Sequence, residues 1–554
     1  MKKKILGIFL CMLLIVTAIP VVGIIENDNL TICETSDDYD NSLRQFTNSN
    51  CNPGDWLEQA KLLASDGVPD DGFGISVSID GEYALIGAAG DDDSKGSAYV
   101  FKRSGLAWIQ ECKLTASDGA DEDYFGYSVS IDGDYALIGS YGDDTSKGSA
   151  YVFKRSGTSW IQEDKLTASD GGSGDSFGWS VSISGEYAIV GVPGYDNSTG
   201  SVYVFKHSGS YWVEEDKLIA SDSEPNDAFG WSVSLDLDYA LIGALGDDYY
   251  VGSAYVFKRS GSTWVQEAKL IGSGSYGDLF GYSVSIDGEY ALVGVPSWVS
   301  IGLVYVYKRS GLSWMQEDIL AASDGTFKNF FGWSVSTDGK YAIIGAVGVE
   351  NYMGSAYVFK RYGIAWSEEA KLTASDGESD DGFGYSVSID SNYALIGADM
   401  DDTCKGSAYV FKKPIPDLDC LGTLSWTDIS PGDTVTSSFM VANNGDIDSE
   451  LSWEIESNPM WGTWKFLPSN GSGLTPVMGA LTVAVEVVAP NEKNKEFTGE
   501  VKVVNTEDSS DYHMIHVSLT TPKDKSFIFN FPLLNWLFER FPNIFPVLKQ
   551  LFEC

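Results

Sequence analysis

A Phe-Gly pair returns seven times along the chain, at Phe73, Phe125, Phe177, Phe229, Phe280, Phe331 and Phe383, at intervals of 51 or 52 residues. A tryptophan keeps nearly the same beat, at Trp56, Trp108, Trp160, Trp212, Trp264, Trp314 and Trp366. Such a period marks a supersecondary unit that cannot bury its apolar face alone and stacks on its copies. Each unit holds four strand-like runs between turn signals: Phe-Gly-x-Ser-Val-Ser-Ile, Tyr-Ala-Leu-Ile-Gly, Gly-Ser-Ala-Tyr-Val-Phe-Lys, and the run from Trp to Leu. Asp132-Gly133 is a favoured tight hairpin turn between the first two. Four antiparallel strands per unit, repeated radially, predict a seven-bladed β-propeller over residues 56–413. An open solenoid needs capped ends, and no atypical end unit is present.

The register also predicts how the ring closes. If Phe-Gly opens the innermost strand, the last unit ends near Phe411 without a fourth strand, while the 56–63 run precedes the first Phe-Gly. That run should pair with residues 406–412 and leave no open edge. Gly126, Ser128 and Ser130 suit the crowded axis, and the alternating Val129 and Ile131 are expected to pack on the next blade. The tryptophans should fill the widening gap between outer strands.

These units resemble the FG-GAP repeat, also found in the seven-bladed head of integrin α chains. The likeness is to the prokaryotic form with Trp, Lys-Leu, Ala-Ser-Asp-Gly, Phe-Gly-x-Ser-Val and Gly-Ser-Ala-Tyr-Val-Phe, and it covers about residues 56–412. It implies an extracellular recognition or adhesion scaffold. Calcium-binding integrin blades carry an Asp-rich loop between the first two strands. Here that loop is only Asp80-Gly81-Glu82 or Asp132-Gly133-Asp134, too short for the six to eight oxygens of a calcium site. The family's calcium sites are therefore not carried over.

The flanks point outside the cell. Met1-Lys2-Lys3-Lys4 followed by an apolar run reads as a secretory signal over residues 1–23. A polar linker over 24–55 follows. Export permits disulfides, and Cys33 and Cys51, which bracket a polar segment, are candidates to pair, although connectivity is not fixed by sequence; Asn29, Asn197 and Asn470 lie in glycosylation sequons. After Lys412-Lys413-Pro414-Ile415-Pro416, residues 417–521 alternate with period two, as in Thr434-Val435-Thr436-Ser437. This predicts a small immunoglobulin-like β-sandwich. Residues 525–554 form an aromatic tail that reads as a sorting or envelope-attachment signal. The fold class expected is all-β: a seven-bladed propeller followed by an Ig-like sandwich.

Chemistry is scarce. The three histidines are scattered, and in a strand His513 and His516 would face opposite sides. No nucleophile triad or phosphate loop is apparent. The formal charge of −43 excludes nucleic acid as a partner. It has a geography. The loops on one face of the ring hold 30 acids against Lys95, Lys147, Lys328 and Lys405, and the opposite face carries repeated Lys-Arg pairs such as Lys102-Arg103. Among the acids, Asp91, Asp93, Asp121 and Asp123 are the calcium candidates; no other cofactor is expected. Acids thin out where Tyr249, Tyr250, Tyr276, Trp298, Phe327 and Tyr352 lie on neighbouring loops. Clustered exposed rings suggest contact with a protein or a sugar. The reading is a secreted or surface-attached, non-enzymatic recognition protein binding an extracellular protein or glycan on this face. The alternatives are a carbohydrate-active propeller enzyme and a purely structural envelope component.

Overall fold

The computed structural model describes residues 55–523, with Trp536, Glu539 and Arg540. The expected signal, the linker before Asp55, the Cys33–Cys51 pairing, Asn29 and most of the aromatic tail lie outside the described residues. Seven four-stranded antiparallel sheets follow one another from 56 to 413. Blade one consists of Phe73–Asp80, Tyr83–Ala88, Ser97–Ser104 and Ala107–Leu114, from the axis outward. Blades two to seven have inner strands Ser128–Asp132, Ser180–Ser184, Phe229–Asp236, Ser283–Asp287, Phe331–Thr337 and Ser386–Asp390. Leu57–Leu62 is the outer strand of blade seven, antiparallel to Ser407–Lys412, as the register predicted. The first and last parts of the repeat thus complete a single sheet, and the ring has no open end.

Each residue type of the unit has a task at the blade junction. Val129 and Ile131 share a buried cluster with Leu85, Ala98 and Val100. They pack on the preceding blade, not the next one as the alternation had suggested. The serines of the same strand face the following blade. Ser76 Oγ–H donates to Gly126 O at 2.7 Å, and Ser78 Oγ accepts from Ile131 N–H at 3.1 Å. The first of these bonds recurs at all seven junctions. The glycine of Phe-Gly is required by space and by backbone: Gly126 has φ +92°, and a Cβ there would lie 2.2 Å from Ser97 O.

At the rim, each tryptophan meets a tyrosine of the preceding blade edge to face, as in Trp160 on Tyr83 at 6.0 Å and Trp56 on Tyr341 at 5.6 Å. Such a pair adds about 1 kcal/mol beyond burial of its area. The arginines of the Lys-Arg pairs also work between blades. Arg155 lies 4.4 Å over the Tyr83 ring and Arg103 lies 4.8 Å over Tyr393. The basic face is therefore partly a structural cation–π seam rather than a free docking surface.

Residues 418–520 form two sheets. Leu418–Leu421, Thr434–Asn443, Leu481–Val488 and Thr463–Leu467 make one; Leu424–Trp426, Tyr512–Thr520, Glu496–Asn505, Leu451–Ser457 and Asn470–Leu474 make the other. Trp453, Phe439, Val485 and Val503 are buried in one core with residues of both sheets. Lys360 of blade six reaches Glu507 at 2.7 Å, and Lys412 of blade seven reaches Asp446 at 2.7 Å. These pairs tie the propeller's basic face to the sandwich.

Candidate functional site

The connections from second to third strand and from fourth strand to the next blade emerge on one face, called the top here. Six of the second-to-third loops contain three consecutive non-glycine residues with positive φ, such as Asp92, Asp93 and Ser94. Left-handed backbone costs roughly 1–2 kcal/mol per residue, and short polar residues tolerate it best. In blade one the turn is held by Ser94 N–H to Gly90 O and Gly96 N–H to Asp91 O.

Beneath these loops sits a repeated charge clamp. The lysine near the end of the fourth strand reaches up to an aspartate of each top loop. Lys113 lies 2.7 Å from both Asp66 and Asp91; Lys165 does the same with Asp118 and Asp143. Tyr99 OH donates to the other oxygen of Asp66 at 2.9 Å. The Lys113 ammonium holds the Asp66 carboxyl below its usual range, and Lys217 does so for Asp170. Blades one, two, four and seven have the full clamp, and blades three and six have one aspartate of the two. This corrects the charge map. Counting loop residues alone omitted these six lysines, so 30 acids face ten lysines and the top carries about −20, not −26.

Blade five lacks the lysine and both aspartates of the clamp and keeps only the tyrosine, Tyr305, which bonds Ser273 instead. Ile319 stands at the lysine position, Gly274 at the first aspartate, and residues 296–301 contain no acid. In their place Ile271, Val299, Ile301 and Ile319 are exposed beside Tyr276, 71% exposed, and Trp298, 53% exposed. Backbone bonds gather part of the expected aromatic arc: Gly277 N–H donates to Tyr250 O at 3.0 Å and Trp298 N–H to Gly277 O at 3.1 Å. A second link is Phe330, which the sequence reading passed over. Its buried ring lies 5.0 Å from Trp298 and 6.4 Å from Tyr352. Its signal was visible, since only this unit places a phenylalanine before Phe-Gly. Phe327 is exposed beneath Lys328, and Tyr249, 84% exposed, stands outside the ring contacts.

The four calcium candidates do not converge. Asp91 is buried against Ser97 Oγ and Lys113. Asp123 accepts the Ala120 N–H within its own loop, and burial pushes its carboxyl up. Asp93 is exposed, and Asp121 lies 3.7 Å from Lys95. Among the described residues, no group of three or more His, Cys, Asp or Glu side chains is placed to hold a metal. His513 and His516 go to different carboxylates, Asp419 and Glu500. Cys112, Cys404 and Cys420 are free thiols.

A second aromatic assembly encircles the axis. The residue after each Phe-Gly is Ile75, Tyr127, Trp179, Trp231, Tyr282, Trp333 or Tyr385. The rings touch in sequence, with centroids 4.9 Å apart for Tyr127–Trp179, 4.8 Å for Trp179–Trp231, 5.9 Å for Trp231–Tyr282, 4.8 Å for Tyr282–Trp333 and 5.7 Å for Trp333–Tyr385. Only Ile75 interrupts the circle. The tyrosines of blades two, five and seven sense one another electrostatically and are held protonated well above their usual range, chiefly by burial. Above the circle, the first residue of the second-to-third loop is Asp399 in blade seven, where the other blades have Ala89, Tyr141, Pro193, Leu245, Pro296 and Val347.

This is a seven-bladed propeller built from Phe-Gly units, a fold of the ligand-binding kind. A family model described as FG-GAP repeat matches residues 56–101, 108–153, 160–205, 212–257, 264–307, 314–359 and 366–411. These segments make up more than half of the chain, which belongs to the FG-GAP repeat family. No curated protein matches it. Among solved structures, a protein from Lactobacillus plantarum is similar at 14% identity over 58% of this chain and 90% of that one, with a TM-score of 0.41.

Proposed function

We propose that the chain is an exported, non-enzymatic recognition or adhesion protein that binds an extracellular protein or glycan through the top of blades four to six. The observation that carries this reading is blade five. There the charge clamp is replaced as a unit by exposed Tyr276, Trp298, Val299 and Ile301. Water-facing apolar side chains grouped in one place are the feature that separates a contact surface from a solvated one. The lysine-rich, then apolar N-terminus supports export. The propeller-to-sandwich ion pairs support a head carried on a spacer.

The test is binding of the full chain to a glycan array and to intact cells, compared with a Tyr276→Ala/Trp298→Ala variant. Exposed aromatic anchors commonly contribute 2 kcal/mol or more, so binding should weaken by roughly 30-fold or more. Unchanged binding with an unchanged melting temperature removes blade five as the contact surface.

A further inference from the structure

The axial ring and Asp399 suit a ligand different from that of the rim. Asp399 is 8% exposed, and its Oδ1 has no hydrogen-bond partner. Burying a carboxylate oxygen without a partner costs free energy. Glu215 Oε2 and Glu317 Oε2 are buried in the same way, but those carboxylates face Lys206 at 4.0 Å and Lys308 at 3.7 Å through their other oxygens. Oδ1 sits against Gly382: a Cβ on that residue would lie 3.3 Å from it. In blade two the two corresponding positions are Tyr124 and Tyr141, stacked 5.0 Å apart. Where blade two stacks two rings, blade seven has a glycine and a carboxylate. The neighbouring ring position in blade one is Ile75, so the aromatic circle opens on the side where Asp399 stands. Neighbouring centroids 4.8–5.9 Å apart on a seven-membered circle put each ring about 6 Å from the axis, the range over which a cation is attracted to an aromatic face.

We propose that this axial site binds an organic ammonium group, with its charge against Asp399 and its carbon chain among the rings of Tyr385, Trp333 and Tyr127. The three components agree in sign. Aromatic rings surround the axis, one oxygen of the Asp399 carboxylate lacks a partner, and the acidic top enriches cations at the mouth. Burial pushes the Asp399 carboxyl up to about 7; a bound cation favours its ionised form and supplies the missing partner.

The experiment is calorimetric titration of the full chain with n-butylammonium, with choline, and with 3,3-dimethylbutan-1-ol as the neutral isostere of choline. Saturable binding of an ammonium probe is expected, with no detectable binding of the alcohol. Asp399→Asn should weaken the ammonium probe at least tenfold. Asp399→Leu, which installs the residue blade four carries at Leu245, should abolish binding while raising the melting temperature. That rise separates loss of a site from loss of the fold. An end-blocked lysine peptide distinguishes a partner's side chain from a free amine by which binds more tightly. No binding of any ammonium probe, equal binding of the alcohol, or unchanged ammonium binding in both Asp399 variants overturns the proposal.

Discussion

Lys165→Ile in blade two makes alone one of the three changes that blade five carries together. Lys165 Nζ lies 2.7 Å from Asp118 and 2.7 Å from Asp143. Asp143 is buried, whereas the side chains of Asp118 and Lys165 are 49% and 29% exposed. Breaking a buried ion pair costs about 3–5 kcal/mol, and an exposed pair is worth about 0–1 kcal/mol. The clamp falls between these limits, so the single variant should lose about 2 kcal/mol. Adding Asp118→Gly and Asp143→Asn removes the stranded charges and keeps a partner for Ser149, whose hydroxyl donates to Asp143. The triple variant should then recover at least half of the loss, a coupling of about 1 kcal/mol. Scanning calorimetry of the propeller transition reads the effect as a fall of a few degrees in the single variant and a smaller fall in the triple. If the triple variant melts no higher than the single, the three residues are not one electrostatic unit. The interpretation of blade five as a coordinated replacement would then fail.

Gly126→Ala should destabilise the propeller by more than 1 kcal/mol, because φ +92° is unfavourable and the new Cβ would meet Ser97 O at 2.2 Å; thermal unfolding measures it. Trp56→Ala removes a buried ring from the closing strand and should cost about 3–5 kcal/mol, with the newly loosened edge detected as concentration-dependent association in ultracentrifugation. Asp399 and Asp287 have carboxyls pushed up to about 7 and about 6, in both cases chiefly by burial. In the folded state they bind protons more readily than in the unfolded chain, so their contribution to stability rises as pH falls through 7 and 6. The melting temperature should increase between pH 8 and pH 5.5, and Asp399→Asn should flatten the upper part of that rise. Asp66 and Asp170 have the opposite sign: their clamps are intact above the ordinary carboxylate range and are lost as pH falls through the depressed values.

The period and strand order were legible because every unit repeats the same side-chain requirements: small at Gly126, stapling at Ser128, apolar at Val129. Ring closure was legible for the same reason, since a missing fourth strand at one end matched a spare one at the other. The axial aromatic ring was equally periodic, yet counting alternate residues hid it. Strand parity puts Tyr127 on the face of Val129 and Ile131. The register shifts between Phe73 and Ser76, and likewise between Phe229 and Ser232, so the Gly-x segment leaves that alternation. The residue after Phe-Gly is turned out of the blade interface into the circle. The direction of blade packing was also invisible, because periodicity alone does not say which neighbour Val129 meets. The clamps were missed because loop charges were counted without the strand ends beneath them, although Lys-Leu and Ala-Ser-Asp-Gly recur with the same period.

The clamps change what the acidity means. A solvated acidic face needs no fixed partners, but here an aspartate of the Ala-Ser-Asp-Gly loop is hydrogen-bonded to both a tyrosine and a lysine, as Asp118 is to Tyr151 and Lys165. Much of the top charge is therefore part of the packing that fixes the loops over each blade. Two places depart from the repeat in complementary ways. Blade five gives up its charges and exposes apolar rings at the rim. Blade seven keeps its clamp but puts a buried carboxylate, one oxygen of it without a partner, where the other blades have uncharged residues. Blades three and six each lose one aspartate but keep the lysine, so no aspartate is stranded there either. In blade five the lysine and both aspartates are absent together, which is a combination that strands no charge and leaves a surface suited to a partner.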